Sequence, residues 1–177
     1  MKKILILIVL ILITSLSGCF FADQDQPDND TPTTLDIYYL NDLHGAIEKS
    51  SGQHGLSGIS AYLNSKRLEN PKGVILLGGG DMLQGSALSN YYQGRSTLQL
   101  MQVMGFDAMV TGNHEFDWGI EVVTAYFNEE KFLSFPLLGA NIYHRGTQDL
   151  IDGIDPYTII TRGNLKIGVI GTMGYGL

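Results

Sequence analysis

A chain of 177 residues has the length of one domain or of part of a larger one. Its 44% hydrophobic content is that of an ordinary globular protein and excludes wholesale disorder. The formal net charge is −7, and becomes −9 once Lys2 and Lys3 leave with a leader, so that the 11 basic residues fall to 9 against 18 acidic ones; nucleic acid and anionic lipid are thereby excluded as main partners.

The chain begins with Lys2-Lys3 and an unbroken apolar run from Ile4 to Ile13. Ten apolar residues are too few for a bilayer-spanning helix, which takes roughly 20, and the pattern is that of a targeting segment. Leu16-Ser17-Gly18-Cys19 resembles a bacterial lipoprotein signal. The resemblance implies cleavage before Cys19, lipid on its sulfur, and a protein exported and held at the extracytoplasmic face of the bacterial cell membrane. Several acyl chains anchor stably where one does not, and a lone cysteine makes no internal disulfide. Residues 1–18 are thus expected to be a signal peptide. Residues 19–34, rich in Asp, Gln, Asn, Pro and Thr, are expected to be a disordered tether, with residues 35–177 forming the folded part.

Within that part, Leu35 to Leu40 reads as a first strand. Leu56 to about Asn70 reads as a helix, with Leu56, Ile59 and Leu63 on one face and Asn70-Pro71 as its stop. Val74 to Leu77 is a continuous apolar run, as in a strand buried on both sides. Leu83 to Tyr92 reads equally as loop or short helix, and Tyr91-Tyr92 are expected to pack on the sheet. Ser96 or Thr97 is expected to cap a helix that ends at Met104, with Gly105 after it and Met101 and Met104 in the core. Ala108 to Val110 is a third strand, and Ile120, Val123 and Phe127 mark a helix ending near Glu130. Pro136 to Ala140 is a fourth strand, and Tyr157–Thr161 with Lys166–Ile170 form a hairpin around Gly163-Asn164. Strands alternating with helices give an α/β fold with parallel crossovers.

Three strand ends share one pattern: a short apolar strand, then small residues, then groups that bind metal. The first is Asn41-Asp42-Leu43-His44-Gly45, the second Gly78-Gly79-Gly80-Asp81, the third Gly112-Asn113-His114-Glu115-Phe116-Asp117-Trp118-Gly119. Parallel strands place their carboxyl ends on one edge of the sheet, where open α/β folds bind ligands. Neighbouring strands lie about 4.8 Å apart, so Asp42, His44, Asp81, Asn113 and His114 can converge within roughly 10 Å. Asp42 and His44, two apart in extended chain, would point the same way, toward one ion. Asp81 has two oxygens with which to bridge a pair of ions, and Asn113 has an amide oxygen for the second. Two ions roughly 3.5–4 Å apart clamp phosphate oxygens and bring a shared water toward neutral pKa. His114 is then free to act as general acid or transition-state stabiliser, with Asp117 orienting its ring. No Lys-Ser or Lys-Thr follows the three glycines, so a P-loop is excluded. His54 and His144 read as loop residues, and Trp118 as an anchor behind His114.

Asp42-Leu43-His44, Gly80-Asp81 and Gly112 to Glu115, taken together, resemble the calcineurin-like metallophosphoesterases. More closely, Asn41 to Gly45, Gly80 to Ser86 and Gly112 to Gly119 are similar to the bacterial 5′-nucleotidase family, which includes UDP-sugar hydrolase and 2′,3′-cyclic nucleotide phosphodiesterases. The resemblance covers about Leu35 to Thr172. It implies a metal-dependent phosphoric-ester hydrolase that acts on extracellular nucleotides or other small phosphate esters through two divalent ions (Zn2+, Mn2+ or similar). Asp42 and His44 would hold one ion and Asn113 the other; Asp81 would bridge, and His114 with Asp117 would form the catalytic dyad. It also implies a four-layer α/β/β/α domain of which this chain has the first half, its second sheet largely missing. The family's later Gly-His and Gly-His-x-His ligands are not in the sequence. A truncated, inactive or nearly inactive chain is therefore expected, with a non-catalytic remnant lipoprotein as the alternative reading.

Overall fold

The computed structural model describes residues 31–174 apart from 51, 53, 130 and 131. The expected signal peptide, Cys19 and the tether up to residue 30 lie outside the described residues. Among those described, no helix is long and apolar enough to cross a membrane.

The elements run β1 (Asp36–Leu40), α1 (Gly55–Glu69), β2 (Val74–Gly78), α2 (Ala87–Tyr91), α3 (Arg95–Met104), β3 (Ala108–Val110), a 3-10 turn (Asn113–Phe116), α4 (Ile120–Asn128), β4 (Leu137–Leu138), β5 (Tyr157–Arg162) and β6 (Leu165–Ile170). Strands β1 to β4 form a parallel sheet in sequence order, and β5–β6 form a separate antiparallel hairpin. With right-handed crossovers, a sheet that grows in one direction receives all its helices on one face. The main core is that interface: Tyr38, Leu40, Leu76, Met109 and Leu137 of the sheet meet Leu56, Leu63, Leu98, Met101, Met104 and Val123 of the helices.

The opposite face is only partly covered. Hairpin β5–β6 folds back over it. The Arg162 guanidinium donates from Nε and Nη2 to the Val74 carbonyl at 3.2 and 3.1 Å, and Nη2 pairs with Asp107 Oδ1 at 2.6 Å. Asp107 Oδ2 in turn accepts from the Leu76 amide. Ile75, Leu138 and Ile160 are buried on this side, whereas Ile37 and Tyr39 of the edge strand are each 59% exposed. The face expected to lack a partner is therefore half-covered by the chain's own hairpin.

Three other expectations are corrected. Strand β4 keeps only two of the five residues foreseen. Pro136 has no amide to donate, although its carbonyl still accepts from Met109, and the Gly139 and Ala140 amides turn to the carbonyls of Asp155 and Gly171. Helix α3 starts ahead of the expected caps, because Gln93 and Gly94 both have left-handed backbones (φ 48° and 85°) that make Gly94 the N-cap. Ser96 and Thr97 fall inside its first turn, where Thr97 Oγ1 lies 2.8 Å from Ser89 Oγ. Tyr91 and Tyr92 do not pack on the sheet; they are exposed at the end of α2 and stack edge-on against each other.

Candidate metal centre

The loops that follow β1 and β2 are tied to each other before any side chain is considered. Beyond the end of the β1–β2 ladder the pairing continues into the loops: Gly79 N donates to Leu40 O (2.7 Å), Asp42 N to Gly80 O (3.1 Å), His44 N to Asp81 O (2.9 Å) and Gly45 N to Met82 O (2.9 Å). The loop after β3 closes on the loop after β2 because both carry glycine at the crossing. A Cβ on Gly80 would stand 2.7 Å from Gly112 N, and one on Gly112 would stand 2.3 Å from Asp81 Oδ1.

Asp42 (φ 51°), His44 (φ 49°) and Asp81 (φ 53°) all have left-handed backbones. Among described non-glycine residues only Gln93 shares that conformation. Such conformations persist only where the surroundings over-determine them, and they cluster at functional sites. They also correct the premise that Asp42-Leu43-His44 is extended: the segment turns twice, following the backbone of the neighbouring loop.

The outcome is a triad. His44, Asp81 and His114, each half-buried, offer one donor atom apiece, all within 4.8 Å of one another. Donors about 2.0–2.2 Å from a shared ion stand some 3–4 Å apart, so small ring movements bring these into range. Two imidazoles and a carboxylate suit Zn2+, Mn2+, Fe2+ or Co2+. The His44 ring nitrogen Nδ1 lies 2.9 Å from the Gln84 carbonyl. A carbonyl only accepts, so Nδ1 carries the proton and the lone pair is on Nε2. That is the arrangement in which the far nitrogen of a ligating histidine is held by the protein.

His114 is placed twice. Its amide donates to Asp81 Oδ1 at 2.9 Å, and its Nδ1 lies 2.7 Å from Asp117 Oδ2. The Asp117 hydrogen bond raises the imidazole pKa above its ordinary value, partly opposed by desolvation. Its ring meets that of His44 edge-on, with centroids 4.9 Å apart. Of the other expected ligands, Asn113 opens the 3-10 turn beside His114, half-buried. Asp42 lies outside the triad: its carboxylate is exposed and accepts from the Asn41 amide. His54 is the N-cap ahead of α1 and His144 lies in an exposed turn, neither in the triad. Trp118 packs against the core.

One residue of the site escapes sequence reasoning. Glu115 is fully buried, and its carboxylate accepts from four backbone amides. Oε2 takes Gly112 N (2.8 Å) and Asp81 N (2.9 Å); Oε1 takes Met82 N (2.9 Å) and Leu83 N (3.2 Å). Burial pushes its pKa up, while the amides of Gly112, Asp81 and Met82 hold it down. The legible signal was the pair of glycine-rich loops, whose amides need acceptors once they leave the sheet.

Residues 35–171 match the family described as calcineurin-like phosphoesterase. The chain is 35% identical over 164 residues to a 5′-nucleotidase of Vibrio cholerae, a stretch covering 90% of this chain and 29% of that protein. Among solved structures it resembles the NAD nucleotidase of Haemophilus influenzae (TM-score 0.65, 28% identity, 80% of this chain and 26% of that one). It also resembles a 5′-nucleotidase precursor from Thermus thermophilus (TM-score 0.66, 27% identity, 78% and 28%). The chain thus spans under a third of the length of the curated relatives it matches.

Proposed function

This chain belongs to the calcineurin-like phosphoesterase family, and from that premise we propose that it is a metal-dependent phosphoric-ester hydrolase of the 5′-nucleotidase type, acting on extracellular nucleotides. The observation that carries the reading is the approach of His44, Asp81 and His114 to within 4.8 Å of one another at the carboxyl edge of a parallel sheet. In this reading His44, Asp81 and Asp42 would hold one divalent ion, and Asn113 with Asp81 would hold a second. Such ions, when bound, neutralise phosphate charge and acidify a water, which a strongly acidic chain needs if it is to accept a phosphate ester. Asp117 holds the His114 imidazole through Nδ1, leaving Nε2 to give a proton to the departing oxygen.

The amino-terminal assignments belong to the same proposal: a signal peptide over 1–18, a tether over 19–34, a metallophosphoesterase region over 35–177, and attachment to the extracytoplasmic membrane face through lipid on Cys19. Labelling with a radioactive fatty acid in a bacterial host, lost in Cys19→Ser, supports the anchor; unchanged labelling removes it.

The activity test is phosphate release from 5′-AMP by the protein with Mn2+ or Zn2+. Turnover that Asp81→Asn and His114→Ala both abolish supports the hydrolase. Metal retained by His114→Ala marks His114 as the acid, whereas metal lost with turnover marks it as a ligand. A second reading, a metal-binding lipoprotein without turnover, is favoured by the exposed apolar residues Ile37, Tyr39, Ile159 and Ile170, which belong to a sheet packing left open. Metal binding with no phosphate release from any nucleotide decides for it.

A further inference from the structure

We propose that Glu115 is the positioning residue of this metal centre, a clamp that sets the separation of the Asp81 and His114 loops without touching ion or substrate. The inference rests on the metal-site reading above and adds a residue that the reading does not use. Its basis is a closed circuit of hydrogen bonds. Glu115 Oε2 joins the amides of Gly112 and Asp81, one from each loop, at 2.8 and 2.9 Å. Oε1 gathers the next two amides of the second loop, Met82 and Leu83. Asp81 Oδ1 then accepts from the His114 amide at 2.9 Å, so the circuit returns to the residue beside Glu115.

Each link has a physical consequence. Gly80 (φ 96°) turns the chain just ahead of Asp81, and among the bonds described the Asp81 amide is received by Glu115 alone. A fully buried carboxylate must find its partners inside the protein, and a carboxylate accepts at both oxygens. Four donors converging on one acceptor group therefore fix the spacing of two loops that no strand pairing joins at this height. The glycines at 80 and 112 let the loops come this close; Glu115 holds them there.

Glu115→Gln is the discriminating variant. It keeps the shape but turns one oxygen into an amide donor, which then faces two backbone N–H groups. The readout is Co2+ binding by the full chain, followed by titration of the cobalt absorption bands. Loss of a group that orients metal ligands weakens binding roughly 10- to 100-fold, and that range is expected for Glu115→Gln, with altered bands. Arg162→Met is the control, because it loosens the hairpin far from the site; its cobalt affinity and bands are expected to match wild type. Glu115→Gln with wild-type affinity and bands overturns the inference and leaves the metal-site reading standing. Wild-type protein that binds no Co2+ overturns both.

Should Glu115→Gln fail to fold, hydrogen exchange of the wild-type protein takes its place. The amides of 81, 82, 83 and 112 are expected to exchange as one slow group and to slow together on Zn2+ saturation. Independent exchange of these four amides overturns the clamp.

Discussion

At the scale of single residues, the site is built by backbone conformations that few side chains tolerate. Gly80 combines a positive φ of 96° with contact against the Gly112 backbone. Gly80→Ala is expected to lower stability by about 2 kcal/mol or more, the sum of a strained backbone and an overpacked crossing. Gly146 isolates the first part, since it has φ 81° with nothing within 4 Å of a built Cβ. Gly146→Ala is expected to lose only about 1 kcal/mol. Urea midpoints of the two variants check this; equal losses would show that the loop crossing is not tight. The same conformations explain what the sequence could and could not reveal here. His44, Asp81 and His114, which the structure brings together, stood out in the sequence because carboxylate and imidazole groups recur where apolar runs stop; Asp42 stood out equally and lies outside that group. The left-handed turns at 42, 44 and 81 were not legible, since they follow from loop-to-loop hydrogen bonds across 35 or more residues. Glu115 was hidden for a related reason: nothing local distinguishes a buried acid that serves four amides from a solvated one.

At the scale of elements, two ion pairs hold pieces that the sheet does not. Arg162 ties the hairpin turn to the start of β2 and to Asp107 ahead of β3. Hydrogen bonds to charged groups contribute about 1.5–3 kcal/mol, so Arg162→Ala is expected to destabilise by about 2 kcal/mol. Arg162→Lys should recover only part of it, because an ammonium lacks the planar fork; full recovery by lysine would contradict the geometry. Arg95, at the start of α3, forms a two-pronged pair with Glu129 at the end of α4 (2.7 and 3.1 Å) and lies over the Phe132 ring, 4.2 Å from its centroid. The Arg95 hydrogen bond lowers the Glu129 pKa below its ordinary value. A depressed carboxylate stabilises above its unfolded-state pKa, and that stabilisation disappears as pH falls through the folded-state value. Wild type is therefore expected to exceed Glu129→Gln in thermal midpoint near neutrality, with the gap closing in acid; a gap independent of pH would remove the pair from the account. The strands and helices themselves were legible wherever composition decided them, as in the apolar run of β2 and the α1 face of Leu56, Ile59 and Leu63. Boundaries set by tertiary hydrogen bonds were not. Strand β4 ends early because Asp155 and Gly171 capture the Gly139 and Ala140 amides, and α3 begins at Arg95 because of the turn at Gln93-Gly94.

At the scale of the whole molecule, the two faces of the parallel sheet are unequal. The helix face is a continuous core, whereas the other face has only the hairpin, which leaves a cleft of about 240 Å3 lined by Tyr39, Leu77, Ala108, Val110, Val169 and Ile170. Around it stand Ile37 and Tyr39 on the edge strand, and Tyr157, Ile159 and Ile170 on the hairpin, each between 57% and 71% exposed. Five large apolar residues on one side exceed the scattered exposure normal for a monomer, and β1, as an edge strand, adds unpaired backbone groups beside them. The protein is therefore expected to self-associate as concentration rises, by burying this side. Sedimentation velocity over a concentration series measures it, and Ile37→Lys combined with Ile170→Lys is the matched variant. Because both positions are exposed, the pair of lysines should change the melting temperature little while holding the chain monomeric. A wild-type protein that stays monomeric throughout the series would show that the hairpin and cleft satisfy this face unaided. Cobalt affinity unchanged by the two lysines would further show that the candidate metal site and the apolar face are independent properties of one sheet, as their placement at its end and on its side requires.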